Sequence, residues 1–445
     1  MEKGKEWAEM TPEEKRTERF KWQLERPAIN FASPEAEKAY MIRRKRLVDV
    51  YQMKEPDRVP VQMPFGNMPL EWAGTSLRNA MYDYNEFKRV AKKFIHDFEM
   101  DTYMGPGALP GRLYDLLDYK LYKWPGGGLP DDATGLQFVE GEYMLADEYD
   151  DLIRDPSDFW LRVYLPRVMG SFEPFGKLRP HTSMIEIPTG YFAPYARPEV
   201  QAALQMLIDV GKEMAQWQAA MAECTREAQE FGLPTAIPGS GARAPFDTLG
   251  DTMRGTQGIM MDMFRQPDKL LKAMDVIADI TIDTAIAGAN AARGLTVGFP
   301  LHKGADGFMS DKQFNTFYWP PLKKVILALI NEGLMVSLFA EGSYTMRLEK
   351  VNEFPKGTVI WRFDKTDMAI AKKALGDKCV IAGNVPASLI STGTAQEVKE
   401  YCRRLIETCA PGGAYILSAG SSVTRAPAEN LRVMMEAAKE YGVYK

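Results

Sequence analysis

Eight short apolar runs, separated by helical stretches, constrain the fold of this chain more than any other feature. The runs are "VPVQM" (59–63), "MDTYM" (100–104), "PTAIP" (234–238), "LTVGF" (295–299), "LMVSLF" (334–339), "TVIW" (358–361), "CVIAG" (379–383) and "AYILS" (414–418). Most are near-continuous apolar stretches, which is typical of parallel strands covered on both faces. Eight such strands alternating with helices predict an α/β fold of the (β/α)8 TIM-barrel type. An open doubly wound sheet with a separate helical domain remains the alternative.

Helix signals between the runs support this alternation. Capping boxes open at Ser310 ("SDKQ") and Thr394 ("TAQE"), where a hydroxyl and a Gln or Glu three residues later satisfy free backbone N–H groups. After Thr394, apolar residues recur on one helical face, which includes Cys402 and Cys409. We therefore interpret these two cysteines as core residues.

The spacing of the runs predicts three parts. Residues 1–55 are charged and helical in pattern, and we expect them to form an N-terminal helical extension. Residues 56–445 are expected to form the barrel. The second and third runs lie far apart, and we interpret residues 105–230 between them as a large insertion that forms a lid over the catalytic face.

Composition excludes several classes of function. The net charge of -5 offers no basic surplus to neutralise phosphates, so no nucleic-acid partner is expected. The longest apolar stretches are too short to span a bilayer, and no membrane association is expected. The N-terminal segment has no apolar signal core, and the four cysteines form no CxxC pair. A cytoplasmic location fits these observations.

A barrel places its functional groups at the carboxyl ends of its strands. The candidates that follow the predicted strands are Phe65, Asn67, Tyr103, Ser240, Arg243, His302, Lys303, Glu341, Arg362, Asp364, Asn384 and residues 418–422, which include Ser421. Glu341 follows a strand directly, where a carboxylate acts as a general acid or binds a metal, or else caps the next helix. His302 is one of three histidines, and it is either an acid or ligand or a structural hydrogen-bonding residue.

Four segments in the second half carry a family resemblance. They read "RAPFDTLGDTMRGTQGIMMDMFRQPDKL", "GFMSDKQFNTFYWPPLKKVI", "IAGNVPASLISTGTAQEV" and "CAPGGAYILSAGSSVTRAPAENLRVMMEAAKEYG". Their order over about residues 234–443 resembles the uroporphyrinogen decarboxylase superfamily. The resemblance implies a (β/α)8 barrel and either a heme-pathway decarboxylase or a cobalamin-dependent methyltransferase.

Departures from the family pattern separate these branches. The decarboxylases carry an arginine motif after the first strand, an aspartate after the second and a Gly-His-Gly turn after the last. This chain has "PVQMPFGNMPLEWAG" and "TYMGPG" at the first two positions and Ser421 in place of the histidine. The thiol-methylating branch holds zinc with a His-x-Cys and a later cysteine, and here Glu341 and Gly413 stand in the cysteine positions.

By elimination, the resemblance implies an O-demethylase component that passes the methyl group of a methyl ether, such as a methoxylated aromatic, to the cobalt of a partner corrinoid protein. Glu341 and His302 would protonate the ether oxygen or hold a metal such as zinc on it, with Tyr103 as a further catalytic residue. Phe65 and Tyr103 would pack the substrate. The residues expected to bind substrate are Phe65, Asn67, Arg243, Arg362, Asn384 and Ser421.

Two other functions stay open at this point. The chain would be a decarboxylase-type lyase if Arg243 or Arg362 bound the carboxylate of a small or porphyrin-like acid. It would be a non-catalytic barrel if the missing signature residues marked a loss of catalysis. Family members are often dimers, so a homodimer is compatible with either function.

Overall fold

A parallel sheet of seven strands forms the centre of the computed structural model, which describes residues 5–63, 66–105, 107–186, 189–235 and 239–445. The strands, together with three short ones outside this sheet, are β1 (Val61–Gln62), β2 (Tyr122–Pro125), β3 (Gly128–Leu129), β4 (Gln137–Phe138), β5 (Gly239–Gly241), β6 (Thr296–Leu301), β7 (Met335–Ala340), β8 (Val359–Phe363), β9 (Val380–Val385) and β10 (Tyr415–Ala419). The order β1-β10-β9-β8-β7-β6-β5 follows the chain around a curled sheet, which confirms the predicted TIM-barrel-like α/β fold.

Helices alternate with these strands. They are α1 (Pro12–Leu24), α2 (Pro34–Tyr51), α3 (Met68–Trp72), α4 (Leu77–Tyr82), α5 (Tyr84–Asp97), α6 (Gly111–Leu117), α7 (Tyr149–Arg154), α8 (Pro156–Phe159), α9 (Leu165–Val168), α10 (Thr189–Phe192), α11 (Pro198–Glu230), α12 (Pro245–Thr252), α13 (Gly255–Arg265), α14 (Pro267–Ala291), α15 (Asp311–Gln313), α16 (Trp319–Asn331), α17 (Met368–Leu375), α18 (Ala387–Thr392), α19 (Ala395–Cys409) and α20 (Ala428–Tyr441). Short 3-10 or π turns lie at Trp7–Glu9, Trp160–Tyr164, Gly170–Lys177, His181–Ser183, Ala193–Ala196, Phe314–Tyr318 and Thr345–Arg347. Both predicted capping boxes are present, at the starts of α15 and α19.

The second predicted strand is where the structure differs from the expected eight. Among the described residues, 100–104 pair with a neighbouring segment through a single parallel bridge, from Tyr103 to Thr235, rather than through a ladder. The Asp101 carboxylate accepts the backbone N–H of Val61 at 2.8 Å, so a side chain takes the place of a ladder hydrogen bond. Residues 101–103 therefore lie between β1 and the segment leading to β5 and connect the two edges of the sheet.

The inner face of the sheet surrounds a solvent-accessible space, which we call the lumen. Alternate residues of a strand face opposite sides. In β6, Val297 and Phe299 are buried in the outer core, whereas Thr296, Gly298 and Pro300, which alternate with them, are partly exposed. A Cβ placed on Gly298 would meet only one atom, 4.0 Å away. Ser337 and Phe339 of β7 are also partly exposed, so this part of the lumen is open to solvent.

The N-terminal helical extension closes the amino-terminal end of the lumen. Phe20 of α1 and Leu47 and Val50 of α2 pack in one cluster with Met335 and Ile360 at the starts of β7 and β8. The buried guanidinium of Arg19 donates to the backbone oxygens of Gly294 and Glu332, just before β6 and β7. Access to the lumen is therefore from the carboxyl ends of the strands.

The insertion contains α6 to α11 and a small sheet of order β3-β2-β4. Its residues 140–144 lie against the end of α12, where the backbone N–H groups of Tyr143 and Met144 donate to the Met253 oxygen. Arg254 is buried between Glu142 and Asp262 and secures this contact. Within the described ranges, no helix combines the length and the apolar character that crossing a membrane requires.

Candidate active site

Three ionisable side chains, those of Asp251, His302 and Glu341, lie in a row at the carboxyl ends of β6 and β7, and we call them the proton chain. His302 Nδ1 lies 2.5 Å from the Asp251 carboxylate, and His302 Nε2 lies 3.8 Å from Glu341 Oε1. Asp251 is nearly buried, His302 is more exposed, and the Glu341 side chain is 46% exposed. The solvent exposure of the side chains therefore increases along the proton chain from Asp251 to Glu341.

The environment shifts the pKa of each member. The hydrogen bond to Asp251 raises the pKa of His302 more than burial lowers it. Burial raises the pKa of Glu341, although the His302 charge opposes this. Burial would also raise the pKa of Asp251, but the His302 hydrogen bond and the Lys303 charge outweigh it and hold that pKa low. Asp251 is therefore a lasting anion, and His302 and Glu341 hold protons more firmly than usual.

Asp247, in the first turn of α12, fixes the backbone on which His302 stands. Its fully buried carboxylate accepts the backbone N–H groups of His302 and Lys303, each at 3.0 Å, and the Tyr318 hydroxyl at 2.8 Å. Burial, together with the nearby Asp251 charge, raises the pKa of Asp247 to about 6. Because three donors converge on one rigid carboxylate, the turn after β6 is held in one position.

Two cations flank Asp251. Lys303 Nζ lies 3.0 Å from Asp251 Oδ1 and donates to the Thr256 hydroxyl at 2.9 Å. Arg243 donates to Asp251 Oδ2 at 3.0 Å. The Lys303 side chain crosses α12 at Gly250, where an added Cβ would lie 2.7 Å from the lysine Cε. The predicted substrate residue Arg243 therefore already has a carboxylate partner within the protein.

The turn after Glu341 is held from the next two strands. The Asp364 carboxylate, after β8, accepts the backbone N–H of Gly342 at 3.1 Å. Asn384 at the end of β9 is nearly buried and donates to the backbone oxygens of Asp364 and Thr366. Asn384 thus positions the loop that supports Glu341, and its predicted role in substrate binding stays a prediction.

The other predicted residues lie apart from the proton chain or outside the described residues. Asn67 donates to the Thr134 oxygen of the insertion at 2.7 Å. Tyr103 is buried in the outer core, and Ser421 lies in a depression shared with Asp364 and Asn384. Phe65 lies outside the described residues. Their predicted roles remain predictions.

Arg362 of β8 is the predicted residue that faces the lumen itself. It lies beside Phe339 and Ala382 in the sheet register, and its guanidinium donates to the Gln62 side-chain oxygen across the lumen. Burial lowers its pKa, which the nearby Tyr51 hydroxyl partly offsets. Arg362 is partly exposed and therefore reachable from the lumen.

The donor set for a metal is limited to His302 and Glu341. Zinc in proteins ordinarily takes four ligands, three of them from the protein at catalytic sites. In the part of the chain that the structure describes, no group of three or more His, Cys, Asp and Glu side chains could hold a metal ion. All four cysteines are buried. His302 and Glu341 thus provide two of the three protein ligands of a catalytic zinc site, and the predicted metal stays a prediction.

Sequence reasoning selected Lys303 as a strand-end residue but missed Asp247 and Asp251 as members of the site. The two aspartates stand four residues apart in "FDTLGD", a spacing that puts both on one face of a helix directly after the third strand. That spacing was the available signal. The pairing with His302 depends on β5 and β6 lying side by side, which no local pattern encodes.

Comparisons with known proteins agree with this architecture. The family described as Uroporphyrinogen decarboxylase (URO-D) matches residues 184–441, more than half of the chain. A methyltransferase from Methanosarcina mazei is similar in structure with a TM-score of 0.58 and 13% identity, over 90% of this chain and 98% of that one.

A second solved structure overlaps only in part. A B12-independent methionine synthase from a Shewanella species, in complex with selenomethionine, gives a TM-score of 0.31 and 12% identity over 45% of this chain and 59% of that one. No conclusion about this protein rests on this partial overlap. A search of curated proteins finds no match.

Proposed function

The chain belongs to the uroporphyrinogen decarboxylase family, and from this premise we propose that it transfers the methyl group of a methyl ether to the cobalt of a partner corrinoid protein. The structural similarity to a methyltransferase supports the choice of branch. The sequence departures, with Ser421 and Glu341 in place of a family histidine and cysteine, oppose the decarboxylases and the thiol methyltransferases. The methyl acceptor is treated as a second substrate.

The observation that carries the proposal is the chain Asp251–His302–Glu341 at the mouth of the lumen. Breaking a methyl ether leaves an alkoxide or phenoxide, a poor leaving group unless it receives a proton. As the cobalt(I) nucleophile takes the methyl group, the methyl–oxygen bond breaks, its electron pair stays on oxygen, and the Glu341 carboxyl supplies the proton. The His302 imidazolium, which Asp251 holds, then returns a proton to Glu341 and takes up another from solvent.

The direct test combines the purified protein with cob(I)alamin, free or on a carrier corrinoid protein, and a panel of aryl methyl ethers. We expect the cob(I)alamin absorbance to be replaced by that of methylcobalamin, with one phenol formed per methyl group transferred. Methylation at the background rate across the panel would refute the proposal. Release of CO2 from an acid without any corrinoid would favour the lyase.

The pH profile tests the role assigned to Asp251 as a positioning residue. Since the reacting form holds a proton on the His302–Glu341 pair, kcat/KM should fall as the pH rises through the pKa of this pair. In Asp251→Asn the support for the imidazolium is lost, the pKa of His302 drops, and this alkaline limb should move to lower pH.

The matched control is Asp268→Asn, since Asp268 is exposed on α14. Its profile should superimpose on that of the wild type. A purely structural role for Asp251 would lower activity at every pH without moving the limb, and that result would remove Asp251 from the proton chain.

A further inference from the structure

Arg362 is the one charged side chain within the described strands of the barrel. It aligns with Phe339 on one side and Ala382 on the other, one inward-facing position below the level of Glu341 and Asp364. The apolar cluster that closes the amino-terminal end of the lumen includes Ala382 at the level of Arg362 and Ile360 one inward-facing position below it. A cation thus lies deep in the lumen, close to an apolar floor.

This guanidinium lacks a counterion among the described residues. Its protein hydrogen bond goes to the neutral side-chain oxygen of Gln62, and the titratable group that acts on its pKa is the nearby Tyr51 phenol. No carboxylate of the described chain lies within ion-pairing distance of it, whereas Arg243 and Arg254 are paired with Asp251 and Asp262. Since a guanidinium carries five N–H donors, most of its hydrogen-bonding capacity is not used by the described residues.

The lumen offers space one inward-facing row below Arg362, at the level of Ser337 and Ile360. At this level a Cβ on Gly241 would meet nothing within 4 Å, and its register partner Gly298 is almost as open. Phe339 and Pro300 line the adjoining row and are partly exposed, so they provide a flat apolar wall. A partly exposed cation beside an apolar wall suits a flat organic anion, whose charge Arg362 would pair bidentately.

We propose that Arg362 binds a carboxylate of the substrate, so that the methyl donor is a methoxylated aromatic acid with its acid group deep in the lumen and its methoxy group at Glu341. Phe339, the register partner of Arg362, lies two residues before Glu341, about 7 Å along the strand. A six-membered ring with substituents at both ends spans such a distance. One cation matches one carboxylate rather than a phosphate dianion.

The inference rests on the proposed function for the methoxy group alone, and binding tests it without methyl transfer. Titration calorimetry would compare 4-methoxybenzoate with 4-methoxybenzamide, a neutral analogue of the same shape. We expect the wild-type protein to bind the acid at least about tenfold more tightly, as charge-assisted hydrogen bonds to an arginine provide. Equal affinities, or no binding of the acid at millimolar concentration, would overturn the assignment.

Substitutions test whether Arg362 is responsible for the preference for the acid over the amide. Arg362→Met should bind both compounds with similar, weak affinity, and Arg362→Lys should keep part of the preference because it retains the charge without the planar fork. Arg425→Met is the control, since Arg425 is 83% exposed and pairs with Glu71 outside the lumen. If Arg362→Met unfolds, the wild-type comparison together with Arg362→Lys still decides. A preference unchanged in Arg362→Lys and Arg362→Met would overturn the proposal.

The two proposals fail in different ways. A protein that prefers the acid but transfers no methyl group would retain the anion site and lose the methyltransferase assignment. A protein that demethylates neutral ethers as readily as acids would retain the methyltransferase assignment and lose the role of Arg362. 4-Methoxyphenyl phosphate serves as a third ligand, and tighter binding of this dianion than of the carboxylate would contradict the stated substrate class.

Discussion

Replacement of Glu341 by glutamine is expected to lower kcat for methyl transfer by about 100- to 10,000-fold, the range over which a positioned acid accelerates a reaction. This corresponds to about 3–5 kcal/mol of transition-state stabilisation. The amide keeps the size of the side chain and its place after β7 but has no acidic proton. The measurement is single-turnover formation of methylcobalamin, with KM followed separately.

The leaving group provides the sharper readout. An ether whose phenol is strongly acidic, such as 4-nitroanisole, needs little protonation, so the deficit of Glu341→Gln should shrink for it. Glu349→Gln is the matched control, because Glu349 is exposed on the same loop. If Glu341→Gln slows all ethers equally, or none, Glu341 is not the acid.

The strand pattern was sufficient to predict the fold, because most strands coincide with apolar runs in the sequence. β6 to β10 all overlap predicted runs, and their outer faces are buried. The third strand was less visible: the run at 234–238 ends before β5, whose sequence Gly-Ser-Gly carries no apolar signal. Residues 236–238 lie outside the described residues. The second strand was overestimated because Asp101 uses its side chain where a ladder would use the backbone.

The site residues that directly follow a strand were predictable, because functional groups of a barrel lie at the carboxyl ends of its strands. That rule selected His302 and Glu341, which the structure brings within 3.8 Å of each other. It also selected Arg243, whose partner Asp251 lies on the helix after the third strand. Which arginine is neutralised by the protein and which faces the lumen without a counterion depends on tertiary contacts, and local sequence does not encode them.

One of these tertiary contacts joins the N-terminal extension to the barrel. Asp101 is fully buried and accepts from two nearly buried arginines: Arg46 of α2 at 2.5 Å, and Arg58 before β1 through both nitrogens at 2.7 and 2.8 Å. It also accepts the Val61 N–H. Asp101 thus pairs with both buried guanidinium groups, sharing Arg46 with Asp57, and replaces part of the ladder between β1 and its neighbour.

Asp101→Asn is therefore expected to lower the free energy of unfolding by about 3–5 kcal/mol, the usual cost of leaving buried charges without their partner. Asparagine keeps the shape of the side chain. One of the two carboxylate oxygens that accept from the guanidinium groups becomes an NH2 group, which can only donate. Urea denaturation followed by circular dichroism measures the change, and hydrogen exchange in α2 reports whether the extension loosens first.

Asp57→Asn is the matched control, because Asp57 contacts the same Arg46 but its side chain is 53% exposed. A surface partner of this kind contributes at most about 1 kcal/mol, so this variant should unfold close to the wild type. Equal effects of the two substitutions would mean that burial of Asp101 does not govern its contribution. A large loss confined to Asp101→Asn would show that the closure of the barrel at its second strand depends on this carboxylate.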